Sequence, residues 1–407
     1  MKITHIHIER FRGFQNEDFE VGSLLTAIAG QNGTQKSTLL GIITQTFTLK
    51  TEDSMRVEKP LCGGSYISAF KDKFRLSPTF DKPKGHEWTI SFDAGMDDFT
   101  VESIKRTGDP NVRFWKKGAR QEGDGYISFP TIFLSLKRLV PVAEEAKIIT
   151  DDTLLTQEEL NEFKQLHNKI LIAQTPISSA TTITSKNKQS IGVSTELYDW
   201  NQNSMGQDNL GKIILALFSF KRLHDKYPRQ YKGGILAIDE MDATMYPASQ
   251  VELLKVLRKY ASKLNLQILF TTHSMSLLKA MDDLVQEVTK KEETANQAKI
   301  LYLKKVDDKI AIKQGVNFKG IQLDLNVVAE GNNRKKNRIT AYTEDKENIL
   351  FVKAILKSKA FVLDFVDVTL PCSTLMELVT KRVPAFIYPY SIVILDGDVR
   401  MLSLIHI

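Results

Sequence analysis

Residues 29–37, AGQNGTQKS, have the residue types of a loop that wraps a chain of phosphates. Such loops read G-x-x-x-x-G-K-[ST]. Small residues let backbone N–H groups converge on phosphate oxygens at a helix N-terminus, the lysine reaches the β- and γ-phosphates, and the hydroxyl holds Mg²⁺. Gly30 opens the match, Gln31, Asn32, Gly33 and Thr34 fill its variable positions, and Lys36, Ser37 and Thr38 close it. Gln35 stands where the pattern has its second glycine. Every group that would touch phosphate or metal is kept, so ATP binding is expected to survive Gln35, with an altered loop geometry or a slower turnover. Alone, the run also reads as a strand, a turn and a helix with a chance Lys-Ser-Thr.

A second set of chemically useful residues ends an apolar run. ILAIDE places Asp239 and Glu240 after four apolar residues, where a carboxylate pair is costly unless it is used. Beside a phosphate loop, Asp239 would sit on the Mg²⁺ shell and Glu240 would orient and deprotonate the attacking water. FTTHS ends another apolar run on His273, which either contacts a γ-phosphate or merely finishes a strand. NSMGQDNLGK puts Ser204 and Gly206 at a helix start, where the dipole and free N–H groups suit an anion, although Ser-x-Gly-Gln is also a common turn. The order is more informative than any one motif. Lys36 precedes Asp239 by 203 residues, Gly206 precedes it by 33, and His273 follows it by 34.

Elements must carry these residues to one place. KITHIHIERF alternates as a strand, with Ile3, His5 and His7 expected on one face and Thr4, Ile6 and Ile8 on the other. LLTAIAG, TIFLSL, GGILAIDE and LQILFTTHS are apolar throughout, as buried parallel strands are. Helices are expected at KSTLLGIITQTF, at NLGKIILALFSFKRLHDKY and at PASQVELLKVLRKYASKL. Another is expected at LLTQEELNEFKQLHNKILIAQ, with a capping box from Thr156 to Glu159. Alternating strands and helices predict a parallel sheet covered on both faces. Residues 51–130 read as a β-rich insertion, 151–190 as a helical insertion, and 330–338, EGNNRKKNR, as a linker. The linker's Arg334, Lys335, Lys336 and Arg338 are read as solvated or as a DNA-backbone contact. A fresh αβ pattern then runs from 339: RITAYTE, KENILFVKAILKS, FVDVTLP and SIVILDGD.

The chain is 407 residues long, 42% hydrophobic and 26% charged, with a formal charge of +6, which permits an acidic partner without demanding one. Two cysteines, Cys62 and Cys372, allow neither a disulfide framework nor a cysteine-rich metal site. The amino terminus lacks a signal-peptide core and no apolar run approaches membrane-spanning length, so a cytoplasmic protein with no membrane partner is expected.

Together the motifs resemble the ATP-binding-cassette head shared by chromosome-maintenance, recombination and overcoming-lysogenization-defect (OLD) ATPases. IHIERFRGF is similar to their first strand, Lys36 and Ser37 to the Walker A pair, SMGQD to the signature, AIDEMD to the Walker B and D-loop, and His273 to the switch histidine. No Q-loop glutamine is placed. The resemblance spans residues 1 to about 285, and the head is extended to 329. It implies an α/β ABC-type P-loop ATPase head with β-rich and helical insertions, ATP and Mg²⁺ as ligands, and a homodimer. In that dimer Ser204 and Gly206 of one subunit face the nucleotide of the other. The interval from 38 to 203 holds 166 residues and no heptads, which excludes a long coiled-coil tether.

The region 339–400 resembles part of a Toprim domain. Glu344 matches its motif glutamate, and Asp396 and Asp398 its Asp-x-Asp. Carboxylates meeting at the carboxyl edge of a parallel sheet call for Mg²⁺ or Mn²⁺ between them, the chemistry of phosphodiester cleavage. Asp345 replaces the family's glycine, and the next acid is either Glu347 or lost to Asn348. A strand-end turn and a solvated helix start would explain the acids without metal. The tail 401–407, MLSLIHI, resembles translated adapter read-through, so the domain is expected to be incomplete. The resemblance implies an OLD-like ATP-dependent DNA endonuclease of anti-phage defence. The alternative is a Septu-like defence ATPase acting as a sensor with a degenerate Toprim and a separate partner nuclease.

Overall fold

The computed structural model describes residues 1–66, 73–93, 95–105, 112–119, 124–139, 148–151, 154–185, 189–330, 339–387 and 391–395. The chain divides into two compact units, Met1–Leu325 and Asn326–Ile407.

The first unit opens with a hairpin, β1 (Ile3–Phe11) and β2 (Phe14–Glu20), followed by β3 (Leu25–Gly30), helix α1 (Lys36–Thr44) and the short β4 (Phe47–Thr48). Strands β5 (Glu87–Phe92), β6 (Phe99–Lys105), β7 (Val112–Lys116), β8 (Ile127–Ser128) and β9 (Thr131–Leu134) come next. β10 (Ile149–Asp151), α2 (Gln157–Leu171), β11 (Ser179–Thr184) and β12 (Gln189–Ser194) lead to the long helix α3 (Met205–Lys226). Then β13 (Gly234–Ile238), α4 (Pro247–Lys263), β14 (Leu266–Thr272), α5 (Met275–Val288), β15 (Ala298–Val306) and β16 (Lys309–Lys313) complete the series, and helix α6 (Phe318–Glu330) crosses the boundary at Leu325.

Six strands form the central sheet in the order β16-β15-β3-β14-β13-β9, all parallel except β16. Its strands are apolar on both sides because both sides are covered. Ala27, Ala29, Ile238 and Phe270 face a core completed by α2 to α5. Ile28, Ala237, Leu269 and Leu301 face a second core with α1 and the β1 sheet. Helix α1 gives Leu39, Leu40, Ile42 and Ile43 to that second core, all fully buried and worth ~1.5–3 kcal/mol each. The parallel strands therefore all end on one edge, which is where the phosphate loop, Asp239 and His273 leave the sheet.

In the first unit two expectations need correction and a third gains detail. Ile3 does not share a face with His5 and His7: a register irregularity between Ile3 and His5 against β5 turns Ile3 inward with Ile6 and Ile8. The β-rich insertion 51–130 joins an existing sheet. Its strands β5, β6 and β7 extend the amino-terminal hairpin into one antiparallel sheet, β2-β1-β5-β6-β7, because Trp88, Ile90, Val101 and Phe114 alternate onto the same core as Ile6 and Phe11. The segment 151–190 is only half helical. Its β-branched SATTIT pairs as β11 between β10 and β12.

In the second unit, β17 (Ile339–Thr343), α7 (Lys346–Leu356), β18 (Leu363–Phe365), α8 (Cys372–Thr380) and β19 (Ser391–Ile394) build a parallel sheet of order β18-β17-β19. The strand expected over FVDVTLP ends at Phe365 instead. Val368 N–H turns back onto the Val366 carbonyl at 2.9 Å, and Pro371 caps α8. The linker residues 331–338, the pair Asp396 and Asp398, and the tail 401–407 lie outside the described residues.

Candidate nucleotide site

The phosphate loop leaves β3 at Gly30 and enters α1 at Lys36. Gly33 (φ 80°) and Gln35 (φ 61°, ψ 32°) both hold left-handed backbone, the conformation that turns successive N–H groups toward one point. Gln35 caps α1 without a side-chain hydrogen bond, and its Oε1 is buried with no partner. Thr34 Oγ donates to the Gln31 carbonyl (2.8 Å). Asn32 is exposed at the tip, and the Arg12 guanidinium approaches Thr38 Oγ at 3.4 Å. Lys36, 7% exposed, donates from Nζ to the carbonyls of Gly30 (3.1 Å) and Gln31 (2.8 Å). Burial lowers its pKa, opposed by the carboxylates of Glu240, Asp239 and Asp242.

Asp239 directly follows β13, a strand flanked by β14 and the edge strand β9, so it leaves the carboxyl edge of the sheet beside the end of β14. Ser37 Oγ donates to Asp239 Oδ1 at 2.8 Å, and Thr271 Oγ donates to the same oxygen at 2.7 Å. Thr271 Oγ in turn accepts from the Glu240 N–H at 2.6 Å. One chain of hydrogen bonds thus joins residues 37, 239, 271 and 240. Glu240 holds a left-handed φ of 50°, which for a non-glycine residue stores ~1 kcal/mol or more. His273, just past β14, is exposed and donates its backbone N–H to Asp242 Oδ1 (3.3 Å). Although the residue is exposed overall, partial desolvation of its ring and then the nearby Lys36 ammonium depress its pKa against the three carboxylates, which favours the neutral imidazole at neutral pH.

Ser204 and Gly206 lie apart from this cluster. Ser204 caps α3 in a reciprocal box with Gln207 (3.3 and 2.8 Å), and among the described residues none of its hydrogen bonds reaches the phosphate loop. Gly206 packs on the turn after Asp239: a Cβ there would lie 2.5 Å from the Thr244 carbonyl. Glu344 follows β17 and is half-buried; Asp345 caps α7 by accepting from Asn348 N–H (2.9 Å), and Glu347 is exposed. Among the described residues no group of three His, Cys, Asp or Glu side chains could hold a metal ion.

Several residues that hold the site escaped the sequence reading. The turn 239–246 is fastened by three buried side chains. Arg138 donates to the Glu240 carbonyl (2.7 Å), Asn209 to the Ala243 carbonyl (3.0 Å), and Gln250 to the carbonyls of Asp242 (3.2 Å) and Met245 (2.7 Å). Gln250 also accepts from Ser274 Oγ, next to His273. Desolvation brings the Arg138 pKa down to about 10, opposed by Asp239, Glu240 and Asp242, and the guanidinium stays charged. Asn209, in the polar start of α3 yet fully buried, carries no more local signal in the sequence than Gln207 or Asp208 beside it.

The residues fit Mg²⁺ and a triphosphate: a buried ammonium, a loop of inward N–H groups, and a hydroxyl and a carboxylate converging as hard oxygen donors. An α/β fold with these groups at its carboxyl edge is the architecture of a P-loop ATPase. Residues 134–278, which include Asp239, Glu240, His273 and α3, match the model of the AAA ATPase domain. No curated protein matches the chain. Among solved structures it is similar to the SMC head domain from Thermotoga maritima, at 14% identity over 78% of this chain and 100% of that one, with a TM-score of 0.43. It is also similar to the Smc head domain with an extended coiled coil, bound to the C-terminal domain of ScpA derived from Pyrococcus furiosus (12% identity, 81% and 99% covered, TM-score 0.42). A third likeness is to the recombination mediator protein RecF with ATP (11% identity, 77% and 97% covered, TM-score 0.39). Likenesses this loose leave the chemistry to be read from the residues themselves. No helix among the described residues is long and apolar enough to cross a membrane.

Proposed function

We propose that the chain is the ATP-hydrolysing subunit of an OLD-like, ATP-dependent DNA endonuclease of anti-phage defence. The observation that carries the ATPase half is the hydrogen-bonded chain from Ser37 through Asp239 and Thr271 to Glu240. When bound, Mg²⁺–ATP supplies the phosphoryl group that passes to water. Lys36, now on two loop carbonyls, would hold phosphate oxygens, Ser37 Oγ and Asp239 would hold the metal, and the Glu240 carboxylate would take the proton of the attacking water. Neutral His273 offers a hydrogen bond beside them. Two copies close on the nucleotide, each presenting Ser204 and Gly206 at the start of α3 to its partner, and closure governs DNA entry to the second unit.

Support for the nuclease half comes from topology. β17 and β19 are adjacent and parallel, with Thr343 opposite Ile394, so the segments that follow them leave the same edge of the sheet. Glu344 follows the first, and Asp396 and Asp398 come two and four residues after the second in sequence. Acids in those places suit Mg²⁺ or Mn²⁺. One observation favours the Septu-like alternative, a sensor ATPase working with a separate nuclease: Asp345, where the Toprim pattern has glycine, is engaged as the cap of α7.

The test is made on the complete protein. Glu240→Gln should accumulate as an ATP-bound dimer in sedimentation, and absence of both nucleotide binding and dimerisation at millimolar ATP rejects the ATPase reading. Asp396→Ala should abolish Mg²⁺-dependent DNA cutting. Cutting that survives that change rejects the assigned metal site, whereas cutting that appears only when a second nuclease is added supports the alternative.

A further inference from the structure

Arg138 is 2% exposed and lies in the turn Leu136–Leu139 after β9. All its hydrogen bonds go to neutral acceptors: Nε to Asn209 Oδ1 (2.7 Å), one Nη to the carbonyls of Leu134 (3.3 Å) and Ser135 (3.1 Å), and the other Nη to the Glu240 carbonyl (2.7 Å). It makes no ion pair among the described residues. The carboxylates of Asp239, Glu240 and Asp242 act on it from beyond ion-pair distance, and a buried charge without a direct carboxylate contact is an expensive way to fill space, since an apolar side chain of similar volume would pack there at lower cost. What the planar fork does provide is geometry: three directions of donation from one rigid group.

Those directions join three parts of the site. The Leu134 and Ser135 carbonyls anchor the fork to the sheet, the Glu240 carbonyl is the backbone of the residue read as the general base, and Asn209 belongs to α3. Asn209 lies five residues beyond the cap Ser204, about 7.5 Å along a helix axis, so the start of α3 and Asn209 move as one rigid piece. Asn209 Nδ2 also donates to the Ala243 carbonyl (3.0 Å) and approaches Thr244 Oγ (3.4 Å), and Gly206 rests on the Thr244 carbonyl. The helix start and the catalytic turn are thus connected twice, through Arg138 to residue 240 and through Asn209 and Gly206 to residues 243–244.

We infer that Arg138, seated on Asn209, is a positioning residue that makes the placement of Glu240 depend on the placement of the α3 start, so that hydrolysis responds to whatever engages Ser204 and Gly206. This rests on the ATPase reading above. Arg138 does not touch nucleotide; it sets where the Glu240 carboxylate stands.

The experiment compares Arg138→Lys, which keeps the cation and loses the fork, with Asn209→Asp, which keeps the acceptor for Arg138 and loses the donor to residues 243–244. ATP affinity, turnover under saturation, and hydrogen exchange of amides 239–246 without nucleotide are measured. Turnover should fall about 100-fold in Arg138→Lys, as for a misplaced catalytic group. ATP affinity should stay within about threefold, as expected for a residue off the ligand. Exchange should rise in 239–246 and not in the remote β5–β7 strands. Asn209→Asp should show the same pattern more weakly. In Arg138→Ala, ethylguanidinium at millimolar concentration should restore turnover at least about tenfold, a rescue that a purely structural role does not predict. Wild-type turnover in both Arg138→Lys and Asn209→Asp overturns the inference, as does a parallel loss of affinity, turnover and exchange protection throughout the unit. A wild-type protein that neither binds nor hydrolyses ATP sinks the ATPase reading instead.

Discussion

Replacing Gln35 by glycine and, separately, by alanine tests whether the phosphate loop is held under backbone strain. Gln35 sits at φ 61° and ψ 32°, a conformation that costs an L-residue ~1–2 kcal/mol and glycine nothing. It is also the cap of α1 without a side-chain bond, and at that position glycine is tolerated better than alanine by ~0.5–1 kcal/mol. Against both stands the greater freedom of glycine in the unfolded chain, ~0.4–1 kcal/mol. The side chain itself does not enter the comparison. Both substitutions remove the unpartnered Oε1 and the contact in which Nε2 crowds Gly13, where a Cβ would lie only 2.9 Å away. The net expectation is that Gln35→Gly is more stable than Gln35→Ala by ~1 kcal/mol, the reverse of the order in a helix interior. Urea unfolding of the full chain measures it, with both midpoints read against a common slope. Equal stabilities, or alanine ahead of glycine, would show that the loop is not strained at residue 35 and that the Cβ does not perturb its geometry. Because glycine keeps the same turn, ATP affinity of Gln35→Gly should stay within about threefold of the parent, by calorimetry.

Two further perturbations probe the frame around the site. Gly206→Ala should destabilise by ~1–3 kcal/mol, although alanine normally favours a helix, because its Cβ meets the Thr244 carbonyl at 2.5 Å; a variant as stable as the parent in urea would mean the α3 start is not seated on that turn. Asp81 is the second. Burial works to raise its pKa, yet the Arg12 guanidinium (3.0 and 2.9 Å), the Ser77 N–H and His86 hold it at about 2. A carboxylate whose folded pKa lies below its unfolded 3.8 contributes stability that is fully present above pH 3.8 and is lost as pH falls toward 2. Between pH 5 and pH 3 the advantage of the parent over Asp81→Asn should therefore shrink by about 1 kcal/mol, or less with solvent screening; a gap that widens on acidification contradicts the pairing.

What could be read in the chain before folding, and what could not, follows from how each residue is recognised. The residues of the phosphate loop and Asp239 announce themselves locally: a lysine and a serine after glycines, and acids ending an apolar run. Their order in the chain was enough to bring Ser37 and Asp239 to mind together, and the fold places those side chains 2.8 Å apart. Arg138 had no such local signature. Its meaning lies in Glu240, 102 positions away, and in Asn209, 71 away, and nothing in the run TIFLSLKRL distinguishes that arginine from a solvated one. Thr271 was passed over because a threonine in a strand is ordinary until its hydroxyl is seen to bridge two functional residues. The inward turn of Ile3 was invisible for a different reason: a one-residue irregularity reverses every later side chain, and strict alternation has no way to show it.

The way the turn 239–246 is held has a consequence for how the site can be switched. Its backbone is fixed by a guanidinium with a pKa of about 10 and by the neutral amides of Asn209 and Gln250, none of which changes charge between pH 6 and pH 8. Exposed ion pairs do not enter into it, so neither salt nor moderate pH acts directly on the position of Glu240. The groups that do respond to charge, Lys36 and His273, lie near the carboxylates of Asp239, Glu240 and Asp242, where a triphosphate would bring negative charge. Binding and placement therefore reach Glu240 by two different routes. An anion would act on the loop and His273 and reach the Glu240 N–H through Ser37, Asp239 and Thr271, whereas Arg138 and Asn209 connect the Glu240 carbonyl and the turn after it to α3, whose amino-terminal end exposes Ser204 and Met205. A contact made there by a second molecule would thus be a second input to the proposed base, carried by Asn209 and Arg138 and separate from the one that runs through the phosphate loop.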